Sequence, residues 1–410
     1  MTIGFILIFR PAAAEVPPAP FFPLQELWLT DLEQPAVAPP VYDLEHAYVA
    51  LRDGTLAAVK LADGSIVWSV ARPTRVSPAV GDGIVVVAHE EALFGLRTSD
   101  ATPVWTTDLG AGVSAPLVWN SGWLIAVLEN GDLVVLRGSD GFVLWRQQVS
   151  GRLEVSPAVA GNELFLPVLD GRVIAFDLET GRQLWTRSLG GSPQEILALD
   201  DLFVGATDNY FYRLSRSDGK MRWRWRTGGD IIGLPAVDER QVIFVSLDNI
   251  LRALDRESGV QQWRRPLPGR PTGGPQLVAN MALVSGVAPR LLAFETEAGE
   301  GAGGLTGPGE FAAPPHILRP PSPLAPGLVI MTGDGRIVGL LAPTGPPQFS
   351  LDFPLLPPPL LPHPELLELD DVLPLAQSQL PEPPLPLPVP LPLGVTPDVD
   401  GADRLGGNRP

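Results

Sequence analysis

The stretch Gly171–Trp185, GRVIAFDLETGRQLW, contains the pattern that decides the fold. It consists of an aliphatic run, a polar run that reaches a glycine, and an aromatic residue four positions after that glycine. This phrase occurs eight times, and its glycine slot falls at Gly64, Ala101, Gly141, Gly181, Gly219, Gly259, Gly299 and Gly345. Intervals of 37 to 46 residues between the slots predict one structural unit stacked on copies of itself.

One complete unit, residues 155–185, predicts strands rather than helices. Its apolar runs are short, glycine-containing turns separate them, and none has the 3.6-residue period of a helix. An Asp-Gly pair between apolar runs favours a type I′ hairpin, because both central residues need positive φ. Such turns fall at Asp53-Gly54, Asn130-Gly131, Asp170-Gly171, Asp208-Asn209, Asp248-Asn249 and Asp334-Gly335. Four antiparallel strands per unit are typical of a propeller blade, so helical repeats are excluded.

Six of the units place a tryptophan four residues after the glycine slot. We predict that it lies on the outermost strand of its blade and covers the neighbouring blade, with the glycine ahead of it permitting close approach. Prolines near the start of several units, such as Pro157 and Pro235, indicate an inner strand with a free edge. With one N-terminal member, the structural tryptophans are Trp28, Trp68, Trp105, Trp145, Trp185, Trp223 and Trp263.

The N-terminal segment around Trp28 has no first three strands of its own, so we predict that it closes the ring by completing the last blade. Its C-terminal competitor, around Phe349, follows two prolines and would be a poor ladder partner. The predicted fold is therefore all-β: an eight-bladed β-propeller of four-stranded antiparallel blades over residues 28–353. Residues 299–327 depart from the pattern, and the sequence leaves open whether they form a regular blade or an insertion.

The two ends of the chain have different compositions from the repeats. Residues 1–14 pair an apolar run with small residues, as a secretory signal does, although a cationic residue follows the run instead of preceding it. We expect an exported protein, located in the periplasm or cell envelope. Residues 354–410 contain 16 prolines and are predicted to be a disordered tail.

Charge and cysteine content restrict the partners. The formal net charge of −17 disfavours nucleic acid, which needs a basic footprint. The absence of cysteine excludes disulfides and thiolate metal sites. The four histidines are scattered, and the acidic turn residues are accounted for by turn geometry. We therefore predict no catalytic residues, no cofactor and no metal site.

Segments 171–185 and 249–263 resemble the pyrroloquinoline-quinone (PQQ)-type propeller repeat, with its A-x-D-x-x-T-G-x-x-x-W core. The match is specific at Ala175, Asp177, Thr180, Gly181 and Trp185. The family contains quinoprotein dehydrogenases and a non-enzymatic, eight-bladed group represented by BamB, an accessory protein of outer-membrane β-barrel assembly. The resemblance is closest to the second group, because this chain lacks the dehydrogenases' adjacent cysteines and any evident calcium-ligand set. It also lacks the lipid-acceptor cysteine of the BamB group near its N-terminus.

The leading functional hypothesis is a monomeric, non-enzymatic platform that binds another envelope or outer-membrane protein, without a transmembrane span. The alternatives are a PQQ-binding oxidoreductase or small-ligand sensor, and a structural domain tethered by its tail. In the BamB group the partner contacts loops on one face, and the candidate residues here are Arg75, Arg152, Asp230 and Arg270.

A basic-aromatic cluster stands outside this scheme. It comprises Trp223 and Trp225, flanked by Arg222, Arg224 and Arg226. Strand alternation places the indoles on one face and the arginines on the other. This is the best local candidate for contact with an acidic partner.

Overall fold

The computed structural model describes residues 21–319, 322 and 326–343. The signal-like segment 1–14, the tail 354–410 and the eighth repeat phrase at Gly345 lie outside these residues. Within them the secondary structure consists of strands and turns, with no helix.

The strands form eight separate four-stranded antiparallel sheets, so the predicted eight-bladed propeller is confirmed. In chain order the first sixteen strands are β1 25–31, β2 41–42, β3 46–50, β4 55–60, β5 66–71, β6 79–81, β7 84–89, β8 92–97, β9 103–108, β10 118–120, β11 123–127, β12 132–137, β13 143–148, β14 158–160, β15 163–167 and β16 172–177. The remaining sixteen are β17 183–188, β18 193–198, β19 201–206, β20 210–215, β21 221–226, β22 231–237, β23 241–246, β24 250–255, β25 261–266, β26 276–278, β27 281–285, β28 290–295, β29 301–306, β30 316–318, β31 327–331 and β32 336–341.

Each of blades 1 to 7 uses four consecutive strands, beginning with β2–β5 and ending with β26–β29. The first strands of neighbouring blades contact one another, which places them innermost, and the fourth strands are outermost. Pro157 lies directly ahead of β14, as expected for an inner strand, whereas Pro235 lies inside β22 where the ladder shifts register. Buried aliphatic side chains from adjacent blades form the cores, as where Ile125 of blade 3 packs with Leu164 of blade 4.

The N-terminal strand closes the ring. Blade 8 has the order β1-β32-β31-β30, and Trp28 on β1 lies opposite Gly339 on β32. The prediction of N-terminal closure is therefore confirmed. The irregular stretch after residue 299 supplies the outer strand of blade 7 and the inner strand of blade 8, so it is part of two regular blades.

Seven tryptophans join consecutive blades by the same contact. Each indole Nε1–H donates to a carbonyl of the next blade, at 2.7 to 3.0 Å. Six of the seven rings lie on a glycine of the next blade, as where a Cβ on Gly181 would lie 2.7 Å from Cδ2 of Trp145. The exception is Trp68, for which the corresponding slot holds Ala101. The glycine four residues ahead of a tryptophan therefore receives the ring of the preceding blade, and the expectation that it serves its own tryptophan needs this correction.

The junction between blades 7 and 8 is packed with different side chains. Gly303 replaces the tryptophan on β29, and a Cβ there would lie 3.2 Å from Phe22. Phe21, 6% exposed, packs with Leu283 of blade 7 and Leu328 of blade 8. Two N-terminal phenylalanines thus occupy the junction that lacks a repeat tryptophan.

Candidate partner-binding face

One face of the ring is built from the turn between the second and third strands of each blade and from the connection that enters the blade. We call it the loop face. Isolated β-bridges tie these two elements together, for example between Val113 and Leu128 and between Pro271 and Gly286. In blades 1, 3, 7 and 8 the two loops are therefore held together by backbone pairing.

All four predicted partner-binding residues lie in entering connections on this face. Arg75, Arg152, Asp230 and Arg270 precede the inner strands of blades 2, 4, 6 and 7. They are distributed around the ring and do not form one cluster. The three arginines are exposed and Asp230 is half-buried. Within the described residues Arg152 pairs with Glu154, and the other three side chains make no ion pair.

The backbone at these positions is fixed while the side chains remain accessible. The carbonyls of Arg152, Asp230 and Arg270 accept hydrogen bonds from the second-to-third-strand turns of their own blades, at 3.1, 2.8 and 2.9 Å. A side chain on a restrained backbone loses less conformational entropy when a partner binds. The arrangement therefore suits protein recognition by preformed loops.

The loop face at blades 5 and 6, which we call the extended-strand sector, differs because the inner strands begin nearer to the preceding outer strands. The connections 189–192 and 227–230 have four residues, whereas the others have seven to nine, but Asp230 follows its outer strand by the same four residues as Arg152. The inner strands β18 and β22 are correspondingly long, and each contains a register shift. In this sector Gly228 is exposed, Gly229 and Asp230 are half-buried, and the side chain of Leu234, four residues further along the chain on β22, is 41% exposed.

A buried ion pair lies beneath the extended-strand sector at blade 6. Arg252, 7% exposed, donates to Asp248 at 2.6 Å, and the Ser246 hydroxyl donates to the same carboxylate at 2.6 Å. Asp248 in turn accepts from the amide of Gly228 at 3.1 Å. Partial burial alone would raise the pKa of Asp248, but the hydrogen bonds from Arg252 and Ser246 lower this pKa to about 2. Two residues before Asp230, the connection is thus attached to a charged, well-packed turn.

A second feature is a cavity of about 910 Å³ lined by the inner strands of blades 5 to 8. Its charged or titratable lining residues are Glu195, His316 and Arg319. Desolvation by the surrounding protein raises the pKa of Glu195, although its side chain is accessible from the cavity. Burial lowers the pKa of His316 to about 4, and its ring stacks on Tyr42 at 3.8 Å. Arg319 donates to the carbonyl of Leu277.

The donor set of the cavity does not fit the PQQ cofactor of quinoprotein enzymes. That cofactor is a carboxylate-bearing anion held with calcium, and calcium takes six to eight oxygen ligands. The cavity offers one carboxylate and one guanidinium. In the described part of the chain, no group of three histidine, aspartate or glutamate side chains converges to hold a metal ion.

Comparison with known proteins identifies the family. The family model for outer membrane protein assembly factor BamB matches residues 25–102, 96–199 and 170–348. The chain belongs to the BamB family. It is 26% identical over 213 residues to BamB of Burkholderia pseudomallei, which covers 47% of this chain and 55% of that protein. The Nitrosomonas eutropha BamB is 26% identical over 255 residues, covering 59% and 55%. The chain thus spans about half the length of the curated BamB relatives it matches.

The fold is shared more widely than the BamB family. BamB from Moraxella catarrhalis superposes with a TM-score of 0.64 at 16% identity, covering 78% of this chain and 99% of that one. A quinohemoprotein alcohol dehydrogenase from Comamonas testosteroni gives 0.60 at 13% identity, covering 79% and 78%. Tetrathionate hydrolase of Acidithiobacillus ferrooxidans is 26% identical over 200 residues, covering 41% and 40%. At these identities the structural likeness shows the fold alone.

Within the described residues no helix has the length and hydrophobicity needed to cross a membrane. The sequence placed the candidates in the entering connections but did not predict the extended inner strands of blades 5 and 6 or the Asp248–Arg252 pair. The Gly-Gly pairs just ahead of two inner strands, at 190–191 and 228–229, were the available signal.

Proposed function

We propose that this protein is a non-catalytic, exported platform that takes part in outer-membrane protein assembly by binding a protein partner on its loop face. The observation that carries the proposal is the hydrogen-bonded backbone at Asp230, next to the exposed Gly228, in a member of the BamB family. Family membership supports the periplasm or cell envelope as its location. The chain would act there as a monomer, without covalent chemistry.

The extended-strand sector around Asp230 is the proposed centre of contact. A partner segment would contact the exposed Gly228 and the Asp230 carboxylate, and the exposed Leu234, four residues further along the chain, would add apolar contact area. A charged group next to an apolar contact in a restrained frame provides orientation as well as affinity. Arg75, Arg152 and Arg270 would then add longer-range selection from the surrounding loops.

Site-specific photocrosslinking tests this proposal. A benzophenone amino acid at position 230 should form an adduct with the outer-membrane β-barrel assembly protein of the same cells. The matched control carries the probe at Asp140, whose side chain is 50% exposed in a turn on the opposite face. Equal adducts from both positions, or adducts from position 140 alone, would remove the loop face as the binding surface. Asp230→Arg should weaken binding of that purified protein by about tenfold, and Asp140→Arg should not.

A small-ligand function is the second candidate, because the 910 Å³ cavity is large enough for one. Titration of the full chain with PQQ, with and without calcium, tests the quinoprotein version. The donor set predicts no saturable binding. Micromolar binding that is lost in Glu195→Gln would favour this candidate over the platform.

A further inference from the structure

The outer strands of the propeller carry an uneven distribution of positive charge. Seven lysine or arginine residues lie on these eight strands, and five of the seven are on β21 and β25, the outer strands of blades 5 and 6. The outer strands of blades 1, 2, 7 and 8 carry none. In a chain with a net charge of −17, this sector is the exception.

Three of these arginines form a row. Arg222, Arg224 and Arg226 alternate along β21 and are all exposed, while Trp223 and Trp225 point to the other face of the strand. Alternate residues of a strand are separated by about 6.8 Å, so the row extends over about 14 Å. We call these three residues the arginine row.

The arginine row is only lightly neutralised within the described part of the chain. Arg222 lies 4.0 Å from Asp201, whose carboxylate also accepts from the buried Arg213 at 2.7 Å. The Arg224 guanidinium lies 4.6 Å from the ring centre of Tyr210, a stacking contact that holds it while leaving its charge unpaired. Arg226 makes no ion pair there.

We propose that the arginine row is a second docking surface, which binds an extended acidic segment of a partner protein. Guanidinium groups form bidentate hydrogen bonds with carboxylates. The two-residue repeat of the row matches carboxylates on alternate residues of an extended chain. Because the remaining surface is predominantly acidic, an acidic partner is repelled elsewhere and directed to this sector.

A membrane surface fits the arginine row less well. The row is one strand wide, and the turn that precedes β21 carries Asp218, which is 41% exposed. The corresponding turn of blade 6 carries Glu257, which is 76% exposed. Asp218 pairs with Lys220 and Glu257 with Arg213, so these turns add little net charge for a flat layer of anionic headgroups, and a narrow peptide that follows the row uses its full charge.

The test uses the full chain and a labelled synthetic peptide in which aspartate alternates with threonine. A second peptide with asparagine in place of each aspartate controls for backbone binding. Fluorescence anisotropy should show binding of the acidic peptide alone, weakening as salt is added. The variant Arg222→Gln/Arg224→Gln/Arg226→Gln should weaken binding by about tenfold. The matched control Arg52→Gln/Lys60→Gln/Arg97→Gln removes the same charge from blades 1 and 2 and should change it less than twofold.

Three outcomes would overturn the proposal. The first is equal loss of peptide binding in the two triple variants, which would reduce the effect to net charge. The second is that the chain binds phosphatidylglycerol vesicles through the arginine row but does not bind the acidic peptide. The third is self-association of the chain that the row variant abolishes, measured by light scattering, without binding of the acidic peptide. The row ends at Arg226, directly before the connection 227–230 of the loop face, but crosslinking at position 230 and binding of the acidic peptide use different probes, so each can succeed or fail without the other.

Discussion

Replacing Trp263 by alanine tests whether the interblade tryptophans stabilise the ring. Trp263 is 7% exposed, lies on Gly299 of the next blade and donates to the Thr296 carbonyl at 2.8 Å. Truncating a buried aromatic side chain of this size costs about 3–5 kcal/mol, and part of that is the carbonyl left without a donor. An unfolding entropy of about 2 cal/mol/K per residue amounts to about 0.7 kcal/mol/K for this propeller. The expected fall in Tm is therefore about 4–7 °C.

Differential scanning calorimetry of the full chain is the assay. Phe142→Ala is the matched control, because Phe142 follows a glycine slot but is 59% exposed, and its Tm should change by about 1 °C or less. Trp119 would be a poor control although it lies outside the repeat slot, since its ring is wedged against Gly81 and Gly138. If Trp263→Ala lowers Tm no more than Phe142→Ala, the interblade indoles do not hold the blades together.

Three further predictions concern single residues. Ala101 occupies a glycine slot with φ of 57°, a conformation that disfavours a residue with a Cβ. Ala101→Gly should therefore raise Tm by about 1 °C in calorimetry, and a lower Tm would contradict this. The pKa of His316 is lowered to about 4 in the folded chain. Below pH 6.5 the unfolded chain therefore binds a proton that the folded chain does not bind. The free energy of unfolding should decline from pH 6.5 to 4 for this reason. His316→Phe, which keeps the stack on Tyr42, should flatten that decline in urea titrations, and an unchanged slope would exclude His316 as its source. The pKa of Asp248 is lowered to about 2, so its carboxylate stabilises the fold fully above about pH 4 and progressively less towards pH 2. The difference in unfolding free energy between wild type and Asp248→Asn should therefore shrink between about pH 4 and pH 2. A constant difference would show that the ion pair with Arg252 is not its cause.

The blade pattern could be predicted because each unit contains its own local signals. The structure has positive φ at Gly171 and at the slot Gly181, as predicted, but not at Asp170. The type I′ assignment is therefore wrong: the hairpin is a longer loop over residues 168–171, in which the amide of Gly171 donates to the Val168 carbonyl and only the glycine is left-handed. Local turn chemistry and a fixed period therefore determine most of the strand order. The glycine partner of each tryptophan was harder to assign, because the contact joins residues in two different repeats.

Features that depend on a single copy could not be predicted in this way. Phe21 and Phe22 fill the junction between blades 7 and 8, yet they lie outside the repeat and have no counterpart in other units. The cavity residues Glu195 and His316 come from different inner strands, so their proximity depends on ring closure. The roles of Arg75, Arg152, Asp230 and Arg270 stay predictions, because surface charge acquires a function only from a partner.

The closure of blade 8 by β1 has a consequence for the order in which the molecule folds. Gln25 pairs with Leu341, at opposite ends of the described chain, so the contact cannot form until nearly the whole ring has been synthesised. Blades 1 to 7 are each contiguous in sequence and can form in the order of translation. The strand that is made first among those described must wait for the strand that is made last, and such distant pairings form slowly. Until then the aliphatic surfaces of blades 1 and 8 remain uncovered. The pairing of β1 with β32, rather than the folding of any single blade, is therefore the step before which a chaperone would protect the chain.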